Sequence, residues 1–346
     1  MKIVQYGCGK MSLYTMKFAL KKGYEVVGAV DVNEDLIGKD ISVILGTEDK
    51  NIKIVSVQDA ETMLQSVKPD VCIITTMSLL SDCEEALMLC AKLGINAITT
   101  CEEAFYPFNS NPELTRKIDT LAKLNNCTIT GSGYQDAFWG NLITTIAGAT
   151  GEIKEIKGSS SYNVEDYGIA LAQAHGSGYT TEEFEEKIAS ADNISVEERD
   201  ELIAKGDFLP SYMWSVNGWL CDALGLTVVS QTQKCIPTYF DGDIHSTTLG
   251  MDIKRGMCTG MSAVVTTKTK EGINIESECI GKVYSENDFD RNNWSVIGEP
   301  NTNLVIERPD TVGLTCGTVV NRLEELVSAE AGFVPTSRFG KMTYKI

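Results

Sequence analysis

A tight glycine turn near the N-terminus is the first cluster of residues that could do chemistry. Gly7 and Gly9 follow a short β-rich run, Ser12 stands at the third small position, and Asp31 ends a second β-rich run. Glycines allow a sharp turn and a close approach of the backbone to a pyrophosphate, and the amides that begin the next helix can hold its charge. With an acid about 20 residues further on, this spacing predicts a dinucleotide site in a β–α–β unit.

Asp31 indicates which dinucleotide the turn would bind. A carboxylate at the end of the second strand can accept hydrogen bonds from both ribose hydroxyls of NAD, and it would repel the 2′-phosphate of NADP. No arginine follows it directly, but Lys39 lies nearby and leaves NADP possible. We therefore expect NAD as the cofactor. The turn residues expected to contact it are Gly7, Gly9, Lys10, Met11 and Ser12.

Two further loops contain residues that could act on a ligand, because each follows a strand of the same predicted sheet. The candidates are Thr75, Thr76 and Met77 after the fourth strand, and Thr100, Cys101, Glu102 and Glu103 after the fifth. The first loop would lie beside the nicotinamide ribose and the second beside the nicotinamide. Two neighbouring carboxylates in a dry site should have raised pKa values, which suits a general base, although acids also favour the start of a helix. Cys101 is not expected to be a nucleophile, because adjacent acids should raise its pKa.

Candidate substrate contacts lie in a third loop and in the second half of the chain. After the sixth strand, Gly133, Tyr134 and Gln135 lie where glycines permit a close approach to a ligand, although a hinge would need them too. Further along, Tyr162 and His175 could contact a substrate, and each could equally be a packing residue.

The elements that must hold these loops alternate between strand and helix over the first 130 residues. This alternation predicts a parallel sheet with helices on both faces. The predicted strands are 2–6, 25–30, 52–56, 71–75, 95–100 and 127–130. The predicted helices are 11–22, 34–38, 59–66, 80–93 and 111–125.

From residue 152 onward the pattern changes to a mixture of polar helices and alternating strands. We predict a strand over 153–162, two polar helices over 180–206, a helix over 211–224, and β-runs at 227–236, 246–254, 260–269, 274–284, 294–298 and 303–307. Consecutive antiparallel strands indicate an open sheet with helices on one face. Residues 311–330 read as a helix again.

These patterns together predict an α/β protein with two domains. Residues 1–133 should form a Rossmann domain with a doubly wound parallel sheet, and residues 311–346 should pack back on it. Residues 134–310 should form an α+β substrate and dimerisation domain with an open, largely antiparallel sheet.

The composition excludes several classes of partner and site. The 346 residues carry a formal charge of −18, so nucleic acid and anionic membranes, which need a basic face, are not expected partners. The chain has no apolar run of about 18 residues and begins directly with a strand, so we expect no membrane span, no signal peptide and a cytoplasmic location. The eleven cysteines contain no C-x-x-C pair and accompany only two histidines, which predicts buried thiols and no metal site.

The sequence resembles the 2,4-diaminopentanoate dehydrogenase family, which includes native amine dehydrogenases and has a dihydrodipicolinate-reductase-like N-terminal domain. The segments that carry the resemblance are 27–31, 37–40, 96–103 with Tyr106-Pro107, 131–133, 294–300 and 318–321. The chain departs from the family at residues 133–138, which read Gly-Tyr-Gln-Asp-Ala-Phe where the family often has Gly-x-Asn-Pro-Gly-Phe.

The resemblance implies NAD-dependent oxidative deamination of a small amine or amino acid in amino-acid (ornithine) degradation. For 2,4-diaminopentanoate, the products would be 2-amino-4-oxopentanoate and ammonia. The family's catalytic glutamate falls on the pair Glu102 and Glu103, of which Glu102 is slightly favoured. A homodimer is expected, because an open antiparallel sheet is commonly covered by another subunit.

Two other classes of function stay open at this point. One is a dehydrogenase or reductase of an alcohol, sugar or cyclic imine on the same plan, as in glucose–fructose oxidoreductase-like proteins. These proteins usually carry Glu-Lys-Pro after the fifth strand, and Glu102-Glu103-Ala104 lacks that lysine. The other is a regulator that binds NAD without turnover. The reductase of lysine biosynthesis is disfavoured, because residues 162–178 contain one histidine and lack the lysine and proline of its substrate loop.

Overall fold

The computed structural model describes residues 1–345 and divides the chain into two compact units. The first unit comprises Met1–Leu142, Ile203–Leu209 and the residues from Asp310 onward. The second unit comprises Ile143–Leu202 and Pro210–Pro309.

The bounds of the elements are as follows. The strands are β1 Lys2–Tyr6, β2 Glu25–Asp31, β3 Ile54–Ser56, β4 Val71–Ile74, β5 Asn96–Thr99, β6 Thr128–Gly131, β7 Glu152–Asn163, β8 Val228–Tyr239, β9 Ile244–Ser246, β10 Met251–Ile253, β11 Cys258–Thr269, β12 Asn274–Lys282, β13 Arg291–Glu299, β14 Thr302–Glu307 and β15 Gly332–Phe333. The α-helices are α1 Lys10–Lys21, α2 Ser42–Leu45, α3 Ala60–Val67, α4 Glu84–Leu93, α5 Pro112–Leu124, α6 Leu142–Ala147, α7 Ile169–Ala174, α8 Thr181–Phe184, α9 Ser190–Asp192, α10 Val196–Lys205, α11 Tyr212–Leu224 and α12 Thr311–Ser328. Wider π-helical turns lie at Asp136–Asn141 and Glu185–Ala189, and 3₁₀ turns lie at Val57–Asp59, Ser81–Cys83, Glu103–Phe105, Pro107–Asn109, Val164–Tyr167 and Thr336–Arg338.

Seven parallel strands form the sheet of the first unit, in the order β15-β6-β5-β4-β1-β2-β3. The strands are short and apolar, and β4 is buried at all four positions, as expected of a sheet covered on both faces. The helices bury two separate clusters, one including Leu87 and Ile118 and the other including Met16 and Leu323. The predicted doubly wound parallel sheet is therefore confirmed, and it places the loops after β1, β4, β5 and β6 at one edge.

The predicted helix over 34–38 is wrong. These residues form a turn that ends at Gly38, whose φ of +82° stops a helix. A short helix, α2, follows instead. The carboxylate of Asp40 fixes the segment that follows it, including α2, by accepting hydrogen bonds from three backbone N–H groups. A side chain that competes for backbone donors favours such a loop over a longer helix.

Six strands form the main sheet of the second unit, in the order β14-β13-β7-β12-β11-β8. The β7–β12 pair is parallel and the other four pairs are antiparallel, which confirms the predicted, largely antiparallel sheet. Helix α11 packs on one face, where the buried amide of Asn217 donates to Thr267 Oγ1 at 3.1 Å and accepts from Ser277 Oγ at 2.6 Å. Side chains on the opposite face stay partly exposed.

Two details of the second unit differ from the sequence predictions. The run 246–254 is not one strand, because it turns at Gly250, where φ is +64°, and β9 pairs with β10 as a separate hairpin. The first of the two polar helices over 180–206 is divided by the π-helical turn Glu185–Ala189. A capping box joins Ser195 and Glu198 at the start of α10, with reciprocal hydrogen bonds of 2.9 and 3.1 Å.

The C-terminal helix α12 belongs to the first unit, which also continues past residue 133 to Leu142. A fully buried ion pair explains this boundary, because Arg322 on α12 binds Asp136 just after the sixth-strand loop. The Arg322 Nε–Asp136 Oδ2 and Nη2–Oδ1 distances are 2.9 and 3.0 Å. None of the helices within residues 1–345 has the length and apolar character that crossing a membrane requires.

Candidate functional site

The glycine turn after β1 requires glycine at its first position. Gly7 has a φ of +88°, and a Cβ there would lie 2.6 Å from the carbonyl oxygen of Thr75. At Gly9 a Cβ would meet no atom within 4 Å, so open space lies beside the backbone at the second position. Gly7 therefore shapes the turn. Gly9 leaves room against the backbone that a ligand could fill.

Two buried polar side chains that the sequence analysis missed, Gln5 and Thr15, help to hold the turn in place. The amide of Gln5 is fully buried and donates to Gly7 O and Thr75 Oγ1, both at 2.9 Å. Thr15 on α1 donates to Gln5 Oε1 at 2.6 Å, and Thr75 donates to Gly7 O at 3.0 Å. The polar Gln5 inside an otherwise apolar strand was the signal available in the sequence, because such a group must find partners when buried.

Helix α1 begins at the turn, and neither a side-chain cap nor an acidic side chain in its first turn offsets the positive end of its dipole. Its N-cap, Gly9, provides no side-chain acceptor, and the first turn contains no acid. Lys10 is exposed, whereas the buried Ser12 donates to Gly9 O at 2.7 Å, and Met11 O accepts from the Cys316 thiol at 3.4 Å. The backbone amides and the helix dipole can therefore bind an anion, with Lys10 adding positive charge.

Asp31 joins the end of β2 to the glycine turn. Its Oδ2 accepts from the N–H of Cys8, and its Oδ1 accepts from the N–H of Asn33 at 2.7 Å. The residue is partly exposed. Because each carboxylate oxygen has two lone pairs, Asp31 can still accept hydrogen bonds from ribose hydroxyls.

The loop after β4 presents its side chains to solvent beside the turn. Thr76 and Met77 are exposed, and the threonine hydroxyl lies 3.5 Å from the Cys83 sulfur. The neighbouring loop is held to the same strand, since Thr100 N–H donates to Ile74 O at 3.0 Å. The structure thus brings the predicted cofactor residues of three loops to one edge of the sheet.

Glu103 is enclosed by protein. It is 5% exposed, and both carboxylate oxygens are engaged: Oε2 accepts from Leu80 N at 2.7 Å and Oε1 accepts from Ser110 Oγ at 2.6 Å. Burial raises the pKa of Glu103, and the hydrogen bonds from Ser110 and Leu80 oppose the rise. These contacts tie three loops together, which is a structural role.

Glu102 has a different environment from its neighbour. The residue is partly exposed, and the nearby Ser78 is exposed. Burial raises the pKa of Glu102, while the polar side chain of Ser78 and the backbone of Glu102 itself oppose the rise. A desolvated carboxylate with a raised pKa is suited to take up a proton.

Cys101 is fully buried, and its thiol donates to Ser78 O at 3.1 Å. Burial and the neighbouring Cys83 sulfur raise its pKa well above the usual range. The neighbouring Cys101 side chain instead lowers the pKa of Cys83 to about 7. Sequence reasoning did not identify Cys83, because its partner lies on another loop.

The loop after β6 is packed closely within the first unit. The Tyr134 ring stacks on Phe138 with centroids 4.4 Å apart, and Tyr134 N–H donates to Thr315 Oγ1 at 3.2 Å. Gln135 is 6% exposed, and its buried amide nitrogen has no hydrogen-bond partner within residues 1–345. A Cβ on Gly133 would lie 2.9 Å from the Gln135 Oε1 atom. An unpaired buried donor is costly, so Gln135 is the residue of this loop best suited to a ligand acceptor.

Tyr162 and His175 lie in the second unit and contact each other. His175 Nδ1 lies 2.8 Å from Leu171 O, so it must be the protonated nitrogen, and Nε2 accepts from the Tyr162 hydroxyl at 2.6 Å. Burial lowers the pKa of His175. Gly281 makes room for the pair, since a Cβ there would lie 2.5 Å from the imidazole. Both ring nitrogens of His175 are therefore engaged within this unit.

No group of three or more His, Cys, Asp or Glu side chains in residues 1–345 is placed to hold a metal ion. The arrangement at the edge of the parallel sheet instead combines the predicted dinucleotide cradle, made of the turn at residues 7–12 and Asp31, with the partly exposed Glu102. Such a site suits hydride transfer coupled to proton transfer.

Comparison with known proteins gives relatives along the whole chain. No family model matches it. It is 26% identical over 338 residues to the 2,4-diaminopentanoate dehydrogenase of Acetoanaerobium sticklandii, across 96% of this chain and 91% of that protein. The solved structure of an amine dehydrogenase from Mycobacterium smegmatis has 33% identity and a TM-score of 0.83, covering 100% of this chain and 97% of that one. An oxidoreductase from Agrobacterium radiobacter, solved with NAD⁺, L-tartaric acid and magnesium, shares the fold alone, with a TM-score of 0.55, 10% identity and coverage of 96% and 90%.

Proposed function

Because the chain belongs to the family of the Mycobacterium smegmatis amine dehydrogenase and is an oxidoreductase of the two-domain dehydrogenase type, we propose that it catalyses the NAD-dependent oxidative deamination of an amine. The proposed substrate is 2,4-diaminopentanoate, oxidised to 2-amino-4-oxopentanoate and ammonia in amino-acid degradation, in line with the relative from Acetoanaerobium sticklandii. The observation that carries the proposal is Glu102, a partly exposed residue with a desolvated carboxylate, next to the predicted dinucleotide cradle.

The residues of the first unit fit NAD. Gly9 leaves open space at the uncapped start of α1, where the amides would hold the pyrophosphate, and Asp31 would accept from the ribose hydroxyls. Thr76 and Met77 are exposed where the nicotinamide ribose would lie. NADP stays possible, because Lys39 is exposed near Asp31. When bound, NAD⁺ supplies the acceptor for a hydride.

Glu102 acts as the base in this proposal. An ammonium substrate cannot give up its α-hydride until it loses a proton, and the Glu102 carboxylate accepts that proton. The raised pKa of Glu102 narrows the gap to the pKa of the amine and makes the transfer easier. After the hydride leaves and Glu102 has released the first proton to solvent, the same carboxylate accepts a proton from the water that attacks the iminium carbon. Glu102 then returns this proton to the carbinolamine nitrogen, which leaves as ammonia, while the hydroxyl loses its proton to solvent and a ketone remains. Glu103 is not assigned this role, because both its oxygens are engaged inside the protein.

The decisive assay follows reduction of NAD and of NADP separately with 2,4-diaminopentanoate, simple amines and polyols. We expect amine-dependent reduction in the wild type and a loss of at least about 100-fold in Glu102→Gln, the usual scale of a positioned base. Glu84→Gln, at an exposed position on α4, is the matched control and should retain full activity. Reduction with polyols alone would replace the proposal by a sugar dehydrogenase, and NAD binding without any turnover would replace it by a regulator.

We also propose that the protein is a homodimer joined through the open face of the second sheet. The strand register places one row of side chains across this face, including the exposed Val305, and Ile236 is also exposed there. Light scattering should give twice the chain mass for the wild type, and Val305→Lys should lower the measured mass; a monomeric wild type would contradict this.

All eleven cysteines are free thiols, which supports the expected cytoplasmic location.

A further inference from the structure

Gln5 is a fully buried polar residue in the middle of the parallel sheet, and the proposed chemistry does not use it. It lies on β1, between β4 and β2, where its register neighbours are the apolar Ile73 and Ala29. A sheet that is covered on both faces ordinarily has apolar side chains at such positions. Burying an amide costs free energy unless it is hydrogen-bonded, so the contacts of Gln5 are what distinguish it from an apolar residue.

The Gln5 amide joins three elements that border the dinucleotide cradle. Its Nε2 donates at 2.9 Å both to Gly7 O, in the glycine turn, and to Thr75 Oγ1, at the start of the loop after β4. The Thr75 hydroxyl donates to Gly7 O at 3.0 Å, which closes a ring of three hydrogen bonds. On the other side, Gln5 Oε1 accepts from Thr15 on α1 at 2.6 Å. Because Gly7 O can only accept, this network fixes the orientation of the amide.

The partners of Gln5 have other hydrogen bonds available to them. Without the amide, Gly7 O still accepts from Thr75 Oγ1, and Thr15 can still donate to Ser12 O, which lies 3.1 Å from its hydroxyl. Replacing Gln5 by an apolar residue therefore leaves none of these three partners unpaired, and the fold should tolerate the change. What the amide adds is a second connection between the turn and the loop after β4.

We propose that Gln5 is a positioning residue for the cofactor, which fixes the glycine turn relative to the loop after β4 so that both sides of the cradle are formed before the dinucleotide binds. This inference rests on the proposed function, because that function supplies the dinucleotide. The turn is the proposed site of the pyrophosphate, and Thr76 and Met77 in the loop are exposed where the nicotinamide ribose would lie. A cradle with both sides already fixed loses less conformational entropy when it binds a ligand that spans them.

The test replaces Gln5 by methionine, which has a similar length and no amide, and measures binding by calorimetry. NAD⁺ is compared with ADP, which contains a pyrophosphate but no nicotinamide ribose. The Kd for NAD⁺ should rise about fivefold, the equivalent of one net hydrogen bond. The Kd for ADP should stay within about twofold of wild type, because the turn keeps the hydrogen bond from Gly7 N–H to Val30 O at 2.8 Å. Gln65→Met, at an exposed glutamine on α3, is the matched control and should change neither affinity.

A second variant acts on the same amide from the side of α1. Thr15→Val removes the donor to Gln5 Oε1, and Thr15 is fully buried, so its side chain does not contact a ligand. This variant should also weaken the binding of NAD⁺ more than that of ADP. The double variant should bind NAD⁺ no more weakly than Gln5→Met alone, because both changes act through one amide. Equal losses for NAD⁺ and ADP, or an unchanged Kd for NAD⁺ in Gln5→Met, would overturn the inference.

Hydrogen exchange without cofactor gives a readout that needs no binding. Mass spectrometry should show about fivefold faster exchange in Gln5→Met for a peptide covering residues 75–80, because opening this loop breaks one hydrogen bond fewer. The peptide covering α4 should exchange as in wild type. Unchanged exchange at 75–80, or faster exchange throughout the first unit, would overturn the inference. If the wild type binds no NAD⁺ but exchange at 75–80 still responds, the proposed function fails while the link between turn and loop stands.

Discussion

Removing one partner of the buried ion pair between Asp136 and Arg322 should strongly destabilise the first unit. Both side chains are fully buried and share two hydrogen bonds of 2.9 and 3.0 Å. Asp136 also accepts from Ser132 Oγ at 2.7 Å and from Asn141 Nδ2 at 2.8 Å. Arg322→Met leaves the Asp136 charge buried without its partner, and a broken pair of this kind costs about 3–5 kcal/mol.

The assay is urea unfolding followed by circular dichroism, with the free energy of unfolding extrapolated to zero urea. Arg116→Met, at an exposed arginine on α5, is the control and should change the free energy by about 0.5 kcal/mol or less. The double variant Asp136→Leu/Arg322→Met should be more stable than Arg322→Met alone, because it removes the fully buried Asp136 charge that Arg322→Met leaves without its partner. An Arg322→Met cost below about 1 kcal/mol, or a double variant as unstable as the sum of its parts, would refute the reasoning.

Three further predictions concern the turn, the cofactor and the second unit. Gly7→Ala should abolish NAD binding in calorimetry, because its Cβ would lie 2.6 Å from Thr75 O at a φ of +88°; unchanged affinity would contradict this. Asp31→Ala should raise the ratio of NADP to NAD affinity, and an unaltered ratio would remove its discriminating role. Burial lowers the pKa of His175 in the folded protein. The unfolded chain therefore binds more protons, and the free energy of unfolding should fall as the pH drops through about 6.5. In urea titrations, His175→Gln should reduce the difference in the free energy of unfolding between pH 5 and pH 7. An equally large difference in the variant would contradict this prediction.

The positions of the first six strands along the chain and the position of the glycine turn could be predicted from the sequence because they depend on local patterns. Short apolar runs separated by helical segments lead to one parallel sheet, and the carboxyl ends of its strands must then share an edge. The helix expected over 34–38 and the single strand over 246–254 failed where glycines with positive φ decide the backbone path. Local propensity does not reveal which glycine adopts that conformation.

The roles of Glu102 and Glu103 could not be separated from the sequence, because adjacent residues share the same local pattern. The structure separates their environments: Ser110 and Leu80, which lie elsewhere in the chain, donate to both carboxylate oxygens of Glu103, whereas Glu102 stays partly exposed. Gln5 was missed for a similar reason, since its partners lie on three different elements. Long-range hydrogen bonds therefore decide which of the chemically suitable residues remains available.

Isotope transfer shows whether the protein moves a hydride from the amine-bearing carbon to the cofactor. Wild-type protein would be mixed with NAD⁺ and 2,4-diaminopentanoate deuterated at C4, and the reduced cofactor analysed by mass spectrometry. We expect one deuterium in NADH and 2-amino-4-oxopentanoate as product in the wild type, and neither in Glu102→Gln despite intact NAD⁺ binding. Reduced cofactor without deuterium, or equal transfer by Glu102→Gln, would rule out deamination with Glu102 as the base.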